Sequence, residues 1–251
     1  NTGMLDSLQA ALIADAKKKH QEKEGYEFDQ LRMYFREDYV VKGITIKQPT
    51  IGDVLSIGEA KFYSDLSPFL YNSTSIRVML WELPQRIDWC KVKDIEVFNM
   101  LKNTQNTDSS AIRLFFPDYK IEYMRLLQYQ DEDSDVPQLC LYDEENNLTL
   151  NESEYMEIAE YIRTLLNIHP KIEKAKGKTT KQWMIDEDKM NLAQKDTKNT
   201  STLLPLISAC INHPGFKYKL QELRDVGIYE FMDSVQRLQI YESTRALLGG
   251  S

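Results

Sequence analysis

The stretch Thr200–Leu248 places the tightest limits on how this chain can fold. An apolar run, Leu203–Ile211, meets a sharp turn at Asn212-His213-Pro214-Gly215, and a long amphipathic pattern opens near Ile228. Ile228, Phe231, Met232, Val235, Leu238 and Tyr241 recur at three- and four-residue spacing, which lines them up along one side of an α-helix. A stripe of that width has to be covered. It either packs into the protein's own core or serves as a docking groove for a partner or a seam for self-association into a homo-oligomer. Both readings hold together if the chain itself covers only part of it.

The rest of the chain is compatible with a mainly helical body. Its 251 residues suit one large domain or two small ones, and 42% hydrophobic content suffices for a sizeable core. Glycine (10) and proline (8) are scarce, which favours long helices. The formal net charge of −8 argues against nucleic-acid binding, because phosphate neutralisation needs clustered cations. Cys90, Cys140 and Cys210 are far apart and odd in number, so they imply a reducing compartment rather than a disulfide framework. No signal peptide or membrane span is visible, and neither a membrane nor a nucleic acid is an expected partner.

Taken in order, Met4–Lys23 reads as an amphipathic helix that becomes fully polar at Lys17, followed by a first strand pair over Asp38–Lys47 with a glycine turn. Thr50 and Asp53 have capping-box spacing, so a helix starts at Ile51 and runs to about Lys61, with a second piece over Phe62–Leu70. Thr74–Glu82 reads as a helix with Ile76, Met79 and Leu80 inward, and Asp94–Lys102 as another. A polar loop over Asn103–Ser110 and a helical turn at Ala111–Phe116 come next. Ile121–Tyr129 is strand-like, and Gln138–Leu150 reads as a β-hairpin. Asn151 and Glu154 form a second capping box, and Tyr155, Ala159, Ile162 and Leu166 make the buried stripe of the helix they start. The basic segment Lys171–Lys181 joins this part to a helix over Thr179–Gln194. The pattern predicts a mainly α fold with a small antiparallel β portion (α+β). It divides into an N-terminal helical extension (1–33), an α+β domain (34–170) and a C-terminal helical domain (171–251).

Searches for chemistry are negative. His20, His169 and His213 are isolated, and the cysteines lack metal-ligand spacing. No glycine-rich phosphate loop and no nucleophile elbow occurs. The acidic runs Asp131–Asp135 and Asp143–Glu145 read as solvated turns, because general acid–base work needs a desolvated carboxyl. The expectation is a protein that is not an enzyme, with no catalytic, cofactor-binding or metal residues and no cofactor.

Three stretches carry a resemblance: Tyr34–Ser64 with its PTIGD motif, Leu80–Trp89 (LWELPQRIDW), and Leu203–Leu248 with NHPGFKYK and GIYEFMDS. In these the chain resembles a family of tailed-phage and prophage proteins of Gram-positive hosts, encoded among structural genes and similar to tail assembly chaperones. The resemblance implies protein–protein binding in the host cell cytoplasm, with the tape-measure protein, the tail-tube protein or both as partners. It carries no catalytic residues. A virion component such as a connector or baseplate subunit is the alternative reading, and a nucleic-acid-binding regulator is a more distant one. On the helical pattern, the partner-facing residues would be Ile228, Phe231, Met232, Val235, Leu238 and Tyr241.

Overall fold

The computed structural model describes residues 26–102, 109–195 and 201–248, with side chains as far as 239. The expected helix over Met4–Lys23 and most of the loop at 103–110 lie outside the described residues. The fold is mainly α with two small antiparallel sheets. In chain order the elements are α1 (Gln30–Tyr34), β1 (Tyr39–Val41), β2 (Ile44–Ile46), α2 (Ile51–Ile57), α3 (Glu59–Leu70), α4 (Arg77–Glu82), α5 (Asp94–Lys102) and α6 (Ser110–Phe115). After them come β3 (Arg125–Tyr129), β4 (Gln138–Asp143), β5 (Leu148–Asn151), α7 (Glu152–Leu166), α8 (Lys178–Gln194), α9 (Leu203–Ile211) and α10 (Ile228–Leu248). Strands β1 and β2 form a hairpin about Lys42-Gly43, and the second sheet has the order β3-β4-β5.

Local chemistry sets the boundaries. Asp53 N–H donates to Thr50 Oγ1 and Thr50 N–H to Asp53 Oδ2, so the capping box starts α2. The break between α2 and α3 falls at Gly58 rather than near Lys61. Its φ of 93° is open to glycine and strained for other residues. Asn151 and Glu154 cap α7 reciprocally, and all four residues of its expected stripe are buried. The fourth helix begins only at Arg77, because the Asn72 side chain accepts from Ser75 N–H and holds a turn ahead of it. Here the inward set differs from expectation. Ile76 and Leu80 are buried, but Met79 is 44% exposed, and Trp81 takes the interior position edge-on to Trp89. The strand expected from Ile121 begins at Arg125, after a 3₁₀ turn over Ile121–Tyr123.

One core runs from Met33 to Val235, so the chain on both sides of the basic segment contributes to it. A smaller cluster of Ile76, Leu80, Trp81, Trp89, Val97 and Ile185 seats α8. Ile185 is the buried residue of that helix, and polar clamps supply the rest of its attachment. The buried Arg77 guanidinium pairs with Glu173 at 2.7 Å and with both oxygens of Asp188, and it lies 5.6 Å from the Trp89 ring centre. Trp81 Nε1–H donates to Gln182 Oε1 at 2.9 Å. A buried guanidinium is tolerated here because two carboxylates meet it.

The chain closes on itself where Pro49–Ile51 meets Val226–Ile228. Ile51 N–H donates to Val226 O and Ile228 N–H to Pro49 O, each at 3.0 Å, flanking an antiparallel bridge between Thr50 and Gly227. Both PTIGD and GIYEFMDS therefore lie in one contact. Their glycines are there for space: a Cβ on Gly52 would sit 2.7 Å from Arg224 O, and one on Gly227 would sit 2.5 Å from Gln48 Oε1. The obstacle at Gly52 is main chain and cannot swing aside. Gly52→Ala is therefore expected to lose about 1–3 kcal/mol of unfolding free energy in urea denaturation, with the same helical circular dichroism. Unchanged stability would contradict this close approach.

Candidate functional site

The closure fixes how the last helix enters the body. Gln48 is buried and serves both segments: its Nε2–H donates to Met33 O, and its Oε1 accepts from Tyr229 N–H. Tyr34 donates its hydroxyl to Asp233 and meets Tyr229 edge-on, and burial together with that carboxylate pushes the Tyr34 hydroxyl well above the usual tyrosine range. With α10 so held, Ile228, Phe231, Met232 and Val235 are buried in the core and Leu238 is half-buried against it. Of the expected partner-facing stripe, these five residues are taken up, fully or in part, by the protein's own packing. The side chain of Tyr241 lies outside those described.

The NHPGFKYK segment fastens the same helix from the other side. Lys217 Nζ lies 2.9 Å from Glu230 Oε1, and Tyr218 donates its hydroxyl to the same oxygen at 2.6 Å. The glutamate carboxyl is held below its ordinary range by Tyr218 and Lys217, which outweigh its desolvation. His213 serves the turn, its Nδ1 accepting from Gly215 N–H at 2.9 Å. PTIGD, NHPGFKYK and GIYEFMDS thus meet around the start of α10, in roles of closure and support, whereas LWELPQRIDW belongs to the smaller cluster under α8.

Beside them lies a cleft of about 750 Å³. One wall is α3, through Ala60, Tyr63, Ser64 and Ser67. The floor is the end of α3 with Leu166–Ile168, and the far wall is α9, through Leu203 and Leu206. Met232 also lines it, the one described side chain of the expected stripe that does so. None of the lining residues carries a formal charge. A volume of this order lies within the range of roughly 300–1,000 Å³ common for binding cavities. The apolar character continues over the rim onto α9, where Leu204 is 65% exposed and Ile211 also faces solvent.

Two charged side chains build the cleft without lining it. The buried Arg163 donates to the carbonyls of Phe69 (2.8 Å) and Tyr71 (3.3 Å) and pairs with Asp94, so α7 holds the end of α3 in place. At the opposite rim Glu59 caps α9 from across the chain. Its carboxylate accepts from the Ser201 and Thr202 hydroxyls and from the Thr202 and Leu203 N–H groups, the last at 3.0 Å. Desolvation raises the Glu59 pKa, but these four donors prevail and hold it below the usual glutamate value. Burial, with the Glu59 charge nearby, pushes the Tyr63 hydroxyl up to about 12, so it is a neutral hydrogen-bonding group at physiological pH.

The arrangement is an uncharged, largely apolar cleft framed by charged groups that stay outside it. Among the described residues, no three His, Cys, Asp or Glu side chains converge on a metal site, and no helix is long and apolar enough to cross a membrane. Sequence patterning missed the cleft because its walls come from four separate segments. The clearest available signal was the excess of apolar residues in Leu203–Ile211, more than one buried helix face can use.

The depressed Glu59 pKa ties α9 to pH. A carboxylate with a lowered folded-state pKa adds stability that is present above its unfolded pKa and is lost as pH falls through the folded value. Glu59→Gln is expected to cost about 1 kcal/mol at neutral pH and less as acidity rises, as a lost helix cap does. Urea titrations between neutral and acidic pH measure this, and parallel curves for parent and variant would contradict it.

No family model matches the chain, and no curated protein or solved structure matches it either.

Proposed function

We propose that the protein acts by binding another protein and that its cleft receives the apolar face of a helix from that client. The observation that carries this reading is the uncharged 750 Å³ cleft and its continuation onto the exposed residues of α9. Anchor side chains at i, i+3 or i+4 and i+7 of an amphipathic helix suit such a groove, because they enter it without bringing charge into a low-dielectric space. Of the stretches that carry the phage resemblance, Leu203–Leu248 contributes Leu203, Leu206 and Met232 to the cleft lining, which supports taking the client from that setting.

The client is then the tape-measure protein of a tailed phage, a long helical protein prone to aggregate, with the tail-tube protein as a second candidate. The work is tail assembly in the host cell cytoplasm, by contacts and without catalysis. A net charge of −8 on the carrier keeps a complex with such a client dispersed. A chaperone leaves its client when the tail is complete and is absent from purified virions, whereas a connector or baseplate subunit is retained.

Ala60 is small, exposed and on the rim, so Ala60→Arg obstructs the cleft without touching the core. Titration calorimetry with a helical tape-measure fragment should show at least about tenfold weaker binding for this variant, at unchanged melting temperature. Val40→Arg, at an exposed strand position away from the lining, should bind as the parent does. Equal binding by Ala60→Arg and the parent would remove the cleft from the proposal.

A further inference from the structure

We infer that β3 is a self-association edge, joining two copies of this chain into a continuous six-stranded antiparallel sheet across a twofold axis at Leu127. The inference rests on a different surface from the cleft and stands independently of it.

The three-stranded sheet has two edges of unlike character. β5 runs straight into α7, and Lys42 Nζ donates to Thr149 O along it. β3 pairs with β4 on one side, and among the described residues none of its main-chain groups bonds to main chain beyond that ladder. An open edge of this kind is a template for another strand unless it is short, bulged or guarded by charge. This one spans five residues, Arg125–Tyr129, and Arg125 is its one charged side chain. Leu126 faces the core, while Leu127 and Tyr129 are each 42% exposed, and Tyr123 and Val136 add apolar surface beside them.

What selects a second copy as the occupant is the strand's complementarity to itself. In antiparallel pairing about Leu127, that leucine meets its own symmetry mate and Arg125 stands opposite Tyr129 of the other copy. A guanidinium beside a tyrosine ring is an attractive pair. Arg125 is available for it, since its bond to Glu144 is a solvent-exposed ion pair of little strength. Slipping the register by one residue would place Arg125 opposite Gln128 and lose these pairings. So short a seam gives a weak dimer, with a dissociation constant in the micromolar range.

Sedimentation equilibrium of the whole chain over a range of concentrations tests the inference. The parent should move from monomer to dimer as concentration rises, with amide hydrogen exchange slowing at Arg125–Tyr129 over the same range. Leu127→Lys sets two like charges face to face across the axis and should stay monomeric, whereas Leu220→Lys, at an exposed leucine elsewhere, should dimerise as the parent does. Arg125→Glu leaves Leu127 in place and should weaken the dimer several-fold by setting a carboxylate against the Tyr129 ring of the other copy, so it decides the matter if Leu127→Lys fails to fold. A parent that stays monomeric would overturn the inference, as would an Arg125→Glu or folded Leu127→Lys variant that associates as strongly as the parent.

Discussion

The structure depends on one main-chain contact, the two hydrogen bonds that join Pro49–Ile51 to Val226–Ile228. Everything between those segments lies within a closed loop of chain, and forming it late in the sequence carries a conformational-entropy cost that the surrounding burial must offset. The offset is visible at the contact itself. Ile51 and Ile228 are both buried, Gln48 satisfies a backbone group on each side, and two glycines let the backbones approach closely. Once the contact forms, the direction of α10 is set and its apolar side turns inward. Of the stripe that in sequence could serve core or partner, Ile228, Phe231, Met232 and Val235 then become core.

Uncovered apolar surface lies elsewhere as a consequence. With the last helix committed to the interior, the apolar run Leu203–Ile211 lies beside it with one face buried and another uncovered. Leu203 and Cys210 anchor this helix in the core, and a carboxylate cap from Glu59 holds its start. Arg163 secures the opposite end of the cleft by bonding two carbonyls that follow the core of α3. In each case a charged group with several partners fixes main chain around an uncharged space, and the charge stays outside that space. On the proposed function, apolar surface enters and leaves such a site without exposing an unpaired charge.

Much of the fold was legible in local sequence. The capping boxes at Thr50 and Asn151, the turn at Lys42-Gly43, the stripe Tyr155–Leu166 and the helix Asp94–Lys102 depend on neighbouring residues, and each appears as the pattern predicts. Readings failed where distant contacts decide. Met79 has helical spacing with Ile76 and Leu80, yet Trp81 fills the interior position because Trp89 and Gln182 wait there for it. The cleft was invisible for the same reason, since nothing near Glu59 in the sequence indicates that its carboxylate caps a helix starting at Leu203. Sequence also could not divide the stripe Ile228–Leu238 between core and partner, because that division is set by Gln48 and Tyr34 from the opposite end of the chain.

Hydrogen–deuterium exchange of the protein alone and in complex with a helical tape-measure fragment tests the central claim most directly. Docking in the cleft predicts slowed exchange in Leu203–Ile211 and Glu59–Tyr71, with the already buried start of α10 little changed. Protection confined to other surfaces, such as the exposed helix Lys178–Gln194, with no change at the two cleft walls, would contradict it.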